Sequence, residues 1–131
     1  MVRILALFAL ALATPVSAKP LTVRMGETWL FAVRHGAPVE ARKVAPATAA
    51  APGQLKVSLQ PLFGATMTVT NASRFDYAYR ATLVLPTGAT GTAKSCVVPA
   101  NGKTAIEQWT KPLAAVRLDH FKPAPAGALC P

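Results

Sequence analysis

Among its 131 residues the chain has only five acids, two histidines and two cysteines. Each scarcity excludes a class of chemistry. Nucleophilic catalysis needs a nucleophile, a base and a group that orients the base. His35 and His120 are the only imidazoles, the first in a turn-like stretch and the second after Asp119, and no G-x-S-x-G elbow accompanies them. Glycoside hydrolysis needs two carboxylates facing across a cleft, and Glu27, Glu40, Asp76, Glu107 and Asp119 fall in five separate segments. H-x-H, M-x-x-M and closely spaced cysteine pairs are absent, so no copper or zinc site is expected. The lack of C-x-x-C removes a redox dithiol. The expectation is a protein that is not an enzyme, with no catalytic or cofactor-binding residues, no metal ligands and no cofactor.

Long apolar runs are missing as well. A spanning helix needs roughly 20 apolar residues, and the longest run, Ile4 to Ala13, has 10. Arg3 precedes it, Pro15 breaks it, and Val16-Ser17-Ala18 supplies the small residues that signal peptidase reads. This three-part pattern marks residues 1–18 as a secretory signal peptide cleaved after Ala18. The mature chain, 19–131, is then expected in the periplasm or secreted, as one domain with no transmembrane segment. In an oxidising compartment an even cysteine count points to a disulfide, Cys96 to Cys130. In the chain-entropy picture, closing a loop of that length stabilises the fold by about 3–4 kcal/mol.

What the mature chain does have is alternation. LKVSLQ sets Leu55, Val57 and Leu59 opposite Lys56, Ser58 and Gln60, and ATMTVTN sets Met67 and Val69 opposite Thr66, Thr68 and Thr70. FDYAYRATLVL places Phe75, Tyr77, Tyr79, Ala81, Leu83 and Leu85 on one face. Period two marks half-buried strands, and no segment shows helical spacing well. Turn residues at 35–38, 71–73, 86–91 and 99–102 punctuate the runs. Asn71-Ala72-Ser73 also matches N-x-S, but it is read as one of these turns. Strands are expected near 29–35, 39–44, 55–60, 65–70, 75–85, 92–98, 103–109 and 115–121. Seven or eight short, mostly antiparallel strands at this spacing point to a β-sandwich. APATAAAPG, 45–53, reads as an Ala/Pro-rich linker or crossover, and 122–131 as a tail pinned by Cys130.

The strongest functional signal is charge. Removing Arg3 with the signal leaves 13 basic residues against 5 acidic, a net charge of +8. The basic residues are spread along the chain, which favours encounter with an anionic envelope component such as lipid headgroups, lipopolysaccharide or an acidic polymer. No nucleic-acid motif accompanies the charge, so a nucleic-acid partner is not expected. Glu107 and Trp109 fall on one side of a strand, either as a small binding patch or as strand scaffold with Trp109 closing the core and Glu107 paired to an arginine. A periplasmic inhibitor or assembly partner is the alternative function, acting through a loop such as Pro86–Gly91 or Pro99–Gly102 on a rigid scaffold.

Several short motifs between Gly64 and Phe121 carry a resemblance. They are TVTN-x-S, Y-x-Y-R-A, S-C-V-V-P, the following E-x-W, and AAVRLDHF, with a weaker echo in GETWLFAV. In these the chain resembles small exported β-sandwich proteins of unknown function from Gram-negative bacteria. The resemblance implies an immunoglobulin-like or related sandwich in the periplasm. It carries over no catalytic residues.

Overall fold

A computed structural model describes residues 19–125. The expected signal peptide and Cys130, the expected partner of Cys96, lie outside the described residues. Among those described there is no helix and no free cysteine.

Nine strands form: β1 (Leu21–Arg24), β2 (Thr28–Arg34), β3 (Ala37–Val44), β4 (Leu55–Gln60), β5 (Ala65–Asn71), β6 (Tyr77–Val84), β7 (Thr90–Ala93), β8 (Lys103–Trp109) and β9 (Ala115–Pro123). All their pairings are antiparallel. They make a four-stranded sheet, β1-β9-β6-β7, and a five-stranded sheet, β3-β2-β4-β5-β8. The two inner faces share one buried cluster, so the fold is an all-β sandwich.

Alternation sets that cluster. Leu55, Val57 and Leu59 of β4, Met67 and Val69 of β5, and Tyr79, Ala81 and Leu83 of β6 all point inward and are buried. Against them lie Val116, Leu118 and Phe121 of β9 and Leu21 and Val23 of β1. Phe121 sits at the centre of an aromatic group, 5.4 Å from Phe31, 5.3 Å from Tyr79 and 6.2 Å from Tyr77 between ring centroids.

Three expectations about the strands are corrected. LTVR forms β1, bringing the count to nine instead of seven or eight; four residues are too few for alternation to stand out. The strand expected over 92–98 is only Thr90–Ala93. Beyond it the chain leaves that sheet: Ser95 Oγ donates to the Tyr79 carbonyl (2.6 Å), the Cys96 N–H donates to Glu107 of β8, and Val98 makes an isolated bridge to Tyr77. Residues 94–98 thus close the side of the sandwich between the two sheet edges. Phe75 lies outside β6 and is exposed, because Asn71 folds 71–75 into a turn.

The Asn71 amide is fully buried and fully used. Its Nδ2 donates to the carbonyls of Phe75 (2.7 Å) and Val98 (3.2 Å), and its Oδ1 accepts from the N–H (3.0 Å) and Oγ–H (2.6 Å) of Ser73. Two donors and two acceptor positions are what an amide has to offer. It ties β5, the start of β6 and the 98–102 turn into one unit.

The Ala/Pro-rich linker is the crossover from β3 to β4. Val44 pairs with Thr28 and Leu55 with Phe31, so residues 45–54 must travel back along β2 to start β4. They do so over the outer face, where Lys56 donates to the Pro46 carbonyl. Leu30 points away from the core cluster yet is only 1% exposed.

Candidate functional site

The charge excess seen in the sequence becomes a surface property. Every acid already has a partner. Glu27 faces Lys43 (3.7 Å), Glu40 faces Arg34 (3.4 Å), and Asp119 takes a two-pronged pair from Arg80 (2.9 and 2.8 Å). Asp76 accepts the Ala100 N–H, and Glu107 accepts the Cys96 N–H. Of the 13 lysines and arginines beyond the signal, only Arg34, Lys43 and Arg80 form carboxylate pairs, leaving ten without one among the described residues.

Glu107 and Trp109 sit on the inward side of β8, with Trp109 packed against the core. The partner of Glu107 is a backbone N–H, not an arginine. Its carboxylate lies near Tyr79, whose phenol is pushed up out of its ordinary range first by burial and then by that charge. The Tyr79 hydroxyl makes no hydrogen bond of ordinary geometry among the described residues, although the neighbouring Ser95 side chain offsets part of that rise. The loop beginning at Pro99 is tied down, since Asn101 and Gly102 donate to the carbonyls of Ser73 and Asn71. The 86–91 loop is exposed but closed on itself, with Gly88 N–H donating to the Leu85 carbonyl and Leu85 N–H to that of Ala89, and Thr90 and Gly91 already belong to β7.

At one end of the sandwich the β4–β5 loop, Pro61 to Gly64, projects two large apolar side chains. Leu62 is 50% exposed and Phe63 is 83% exposed. The loop is nevertheless held: Leu62 N–H donates to Gln60, and Thr66 Oγ1 donates to the Leu62 carbonyl (2.8 Å). Gly64 has φ +96°, and a Cβ there would lie 2.4 Å from the Trp109 carbonyl oxygen and under 3 Å from the Thr110 backbone. Only glycine permits that approach. It sets the loop against the backbone of Thr110, one residue before Lys111.

The β1–β2 turn reaches the same end, where Gly26 N–H donates to Leu59. Next to it a cavity of about 400 Å³ is lined by Thr22, Arg24, Glu27, Trp29 and Arg117. Glu27 accepts from the Arg24 N–H (2.9 Å) and Trp29 Nε1 (3.2 Å). Burial pushes its pKa up, but these hydrogen bonds and Lys43 outweigh that and hold it below the usual range. Arg24 and Arg117 have no carboxylate partner here.

No protein-family model, curated protein or solved structure matches the chain. Among the described residues no group of three or more His, Cys, Asp or Glu is placed to hold a metal ion, and no helix is long and apolar enough to cross a membrane. What remains, among the described residues, is a surface of mostly unpaired cations on which Leu62 and Phe63 stand out as adjacent exposed apolar side chains, Phe75 and Ile106 being exposed elsewhere. Sequence reasoning missed Leu62 and Phe63, although PLF between two alternating runs puts two large apolar residues where polar turn residues are the norm.

Proposed function

We propose that this protein is an exported, non-enzymatic module that docks reversibly on the anionic lipid surface of the cell envelope through its β4–β5 end. One observation carries the reading: the exposed Leu62–Phe63 tip is held through Gly64 against the Thr110 backbone, one residue before Lys111, on a surface whose acids are all engaged and most of whose cations are not. The signal-like pattern of residues 1–18 supports export.

The energetics suit peripheral attachment. Moving the exposed parts of Leu62 and Phe63 out of water is worth roughly 2–4 kcal/mol. Each lysine or arginine close to an anionic bilayer adds about 1 kcal/mol, and Lys111 and Arg24 belong to segments that reach this end of the sandwich. Either signal alone is weak, and together they hold a soluble domain at the interface without anchoring it permanently.

The test is co-sedimentation with vesicles of phosphatidylcholine alone or mixed with phosphatidylglycerol. Binding is expected only with the anionic mixture and is expected to weaken at high salt. Phe63→Ser removes roughly 1.5–2 kcal/mol, about 10- to 30-fold in affinity, while Lys111→Gln lowers binding several-fold and flattens the salt response. Equal binding to neutral vesicles, or no loss in Phe63→Ser, overturns the proposal. Binding to lipopolysaccharide or an acidic polymer without any lipid response does the same.

A further inference from the structure

The chain's only two histidines lie 85 positions apart in sequence, yet they line one cavity of about 380 Å³ with Gly36, Asp119, Phe121 and Lys122, at the end of the sandwich away from the apolar tip. The meeting is built into the backbone. His35-Gly36 is the two-residue turn between β2 and β3, with φ of 52° and 78°, and the Phe121 N–H donates to the Gly36 carbonyl (2.9 Å). A Cβ on Gly36 would lie 3.1 Å from the Phe121 carbonyl oxygen, so the two backbones touch. His35 directly precedes one partner of that contact and His120 the other.

His120 is also displaced by a bulge. Ala78 pairs with Lys122 but Arg80 with Asp119, so β9 has one residue more than β6 at this point, and His120 takes φ 53°. The reason lies below it. Val116 and Leu118 point inward two apart, but the next core residue is Phe121, three further on, and seating it among Phe31, Tyr77 and Tyr79 requires the extra residue. The buried ring therefore fixes the position of the exposed imidazole.

The charges around the cavity are nearly all accounted for. Asp119, its only acid, is held below its usual range first by the Arg80 hydrogen bonds and then by His120, whose Nδ1 lies 3.2 Å away. Arg34 and Glu40, on the neighbouring hairpin, pair with each other. Tyr77 and Tyr79 of β6 point into the core. With Asp119 offset by Arg80, Lys122 is the one unbalanced charge when both imidazoles are neutral. Imidazole is the side chain that changes charge between roughly pH 5 and 8.

We infer that this two-histidine cavity binds a tetrahedral oxyanion of the phosphate-monoester class and binds it more tightly in mildly acid solution. Protonation turns one positive side chain into three around a cavity whose one acid is held by Arg80, with Lys122, His35 and the Nε2 of His120 free to donate charge-assisted hydrogen bonds while His120 Nδ1 faces Asp119. The inference does not depend on membrane docking, which involves the opposite end.

Sulfate is the probe for the pH response, because its own charge is constant over the range. Titrating it into the protein at pH 5.5 and 7.5 while following the histidine Cε1–H resonances should shift both imidazoles together, with at least tenfold tighter binding at pH 5.5. In the His35→Asn/His120→Asn variant, chosen because asparagine tolerates left-handed backbone, the pH response should vanish while the circular dichroism stays that of the parent. Comparing inorganic phosphate with glycerol phosphate at pH 5.5 then separates a free ion from a phosphorylated headgroup or metabolite, and tighter binding of either supports the site. Sulfate that leaves both histidines unmoved, or binding of equal strength at the two pH values, overturns it. Loss of lipid docking in Phe63→Ser with the sulfate response intact shows the two ends acting separately.

Discussion

Asn71→Ala should destabilise the sandwich out of proportion to its size. The Phe75 carbonyl keeps a contact from Ser73 Oγ, and the Val98 carbonyl keeps the Tyr77 N–H, so neither is orphaned outright. The Ser73 N–H loses its acceptor in a buried setting, at about 1–3 kcal/mol. The other three hydrogen bonds contribute roughly 0.5–1.5 kcal/mol each, partly recovered by these alternative partners. The sum is about 3–4 kcal/mol, a large part of the 5–15 kcal/mol typical of a domain. Urea denaturation followed by tryptophan fluorescence should show the midpoint falling with little change in slope. Asn71→Asp is the sharper companion. It replaces a donor aimed at two carbonyls with a carboxylate oxygen, so it should be the worse variant at neutral pH and recover in part in acid, where the carboxyl regains a proton to donate. A loss under 1 kcal/mol in Asn71→Ala, or parental stability in Asn71→Asp, refutes the view that this amide holds β5, β6 and the 98–102 turn together.

Two further outcomes follow from the same geometry. Tyr79→Phe removes a buried hydroxyl that makes no hydrogen bond of ordinary geometry among the described residues, so stability should be unchanged or rise by up to about 1 kcal/mol in urea melts; a loss above that would mean the hydroxyl is bonded. Asp119→Asn tests the Arg80 pair. Asp119 has a lowered folded-state pKa, so its stabilisation is present above the unfolded carboxylate value and is lost as pH falls through the folded one. The pair is screened by solvent, so its contribution is small. Parent and variant should therefore differ slightly at pH 7 and converge in acid melts, and a gap that persists at low pH would contradict the assignment.

The core was legible in the sequence because period two names inward residues directly: Leu55, Val57, Leu59, Met67, Val69, Tyr79, Ala81 and Leu83 are all buried. Features that depend on pairing between distant strands were not. The His120 bulge leaves only a faint trace, the change from two to three in the spacing of Val116, Leu118 and Phe121, and its meaning depends on what β6 presents opposite. His35 and His120 meet only because the β2–β3 turn reaches the end of β9. The alternation of Phe75 with Tyr77 misled because it took no account of an amide four residues earlier that could capture the Phe75 carbonyl. Glu107 and Trp109 were correctly placed on one side of a strand; what each touches became visible only when residues 94–98 crossed between the sheets.

The most direct measurement on the lipid-docking account places a tryptophan at the tip. Phe63→Trp, mixed with phosphatidylglycerol-containing vesicles carrying brominated acyl chains, should show strong extra quenching over the parent, whose Trp29 and Trp109 both pack against the core. Quenching no greater than the parent's while the protein is bound would mean that the surface is met by some other face, and would contradict the account.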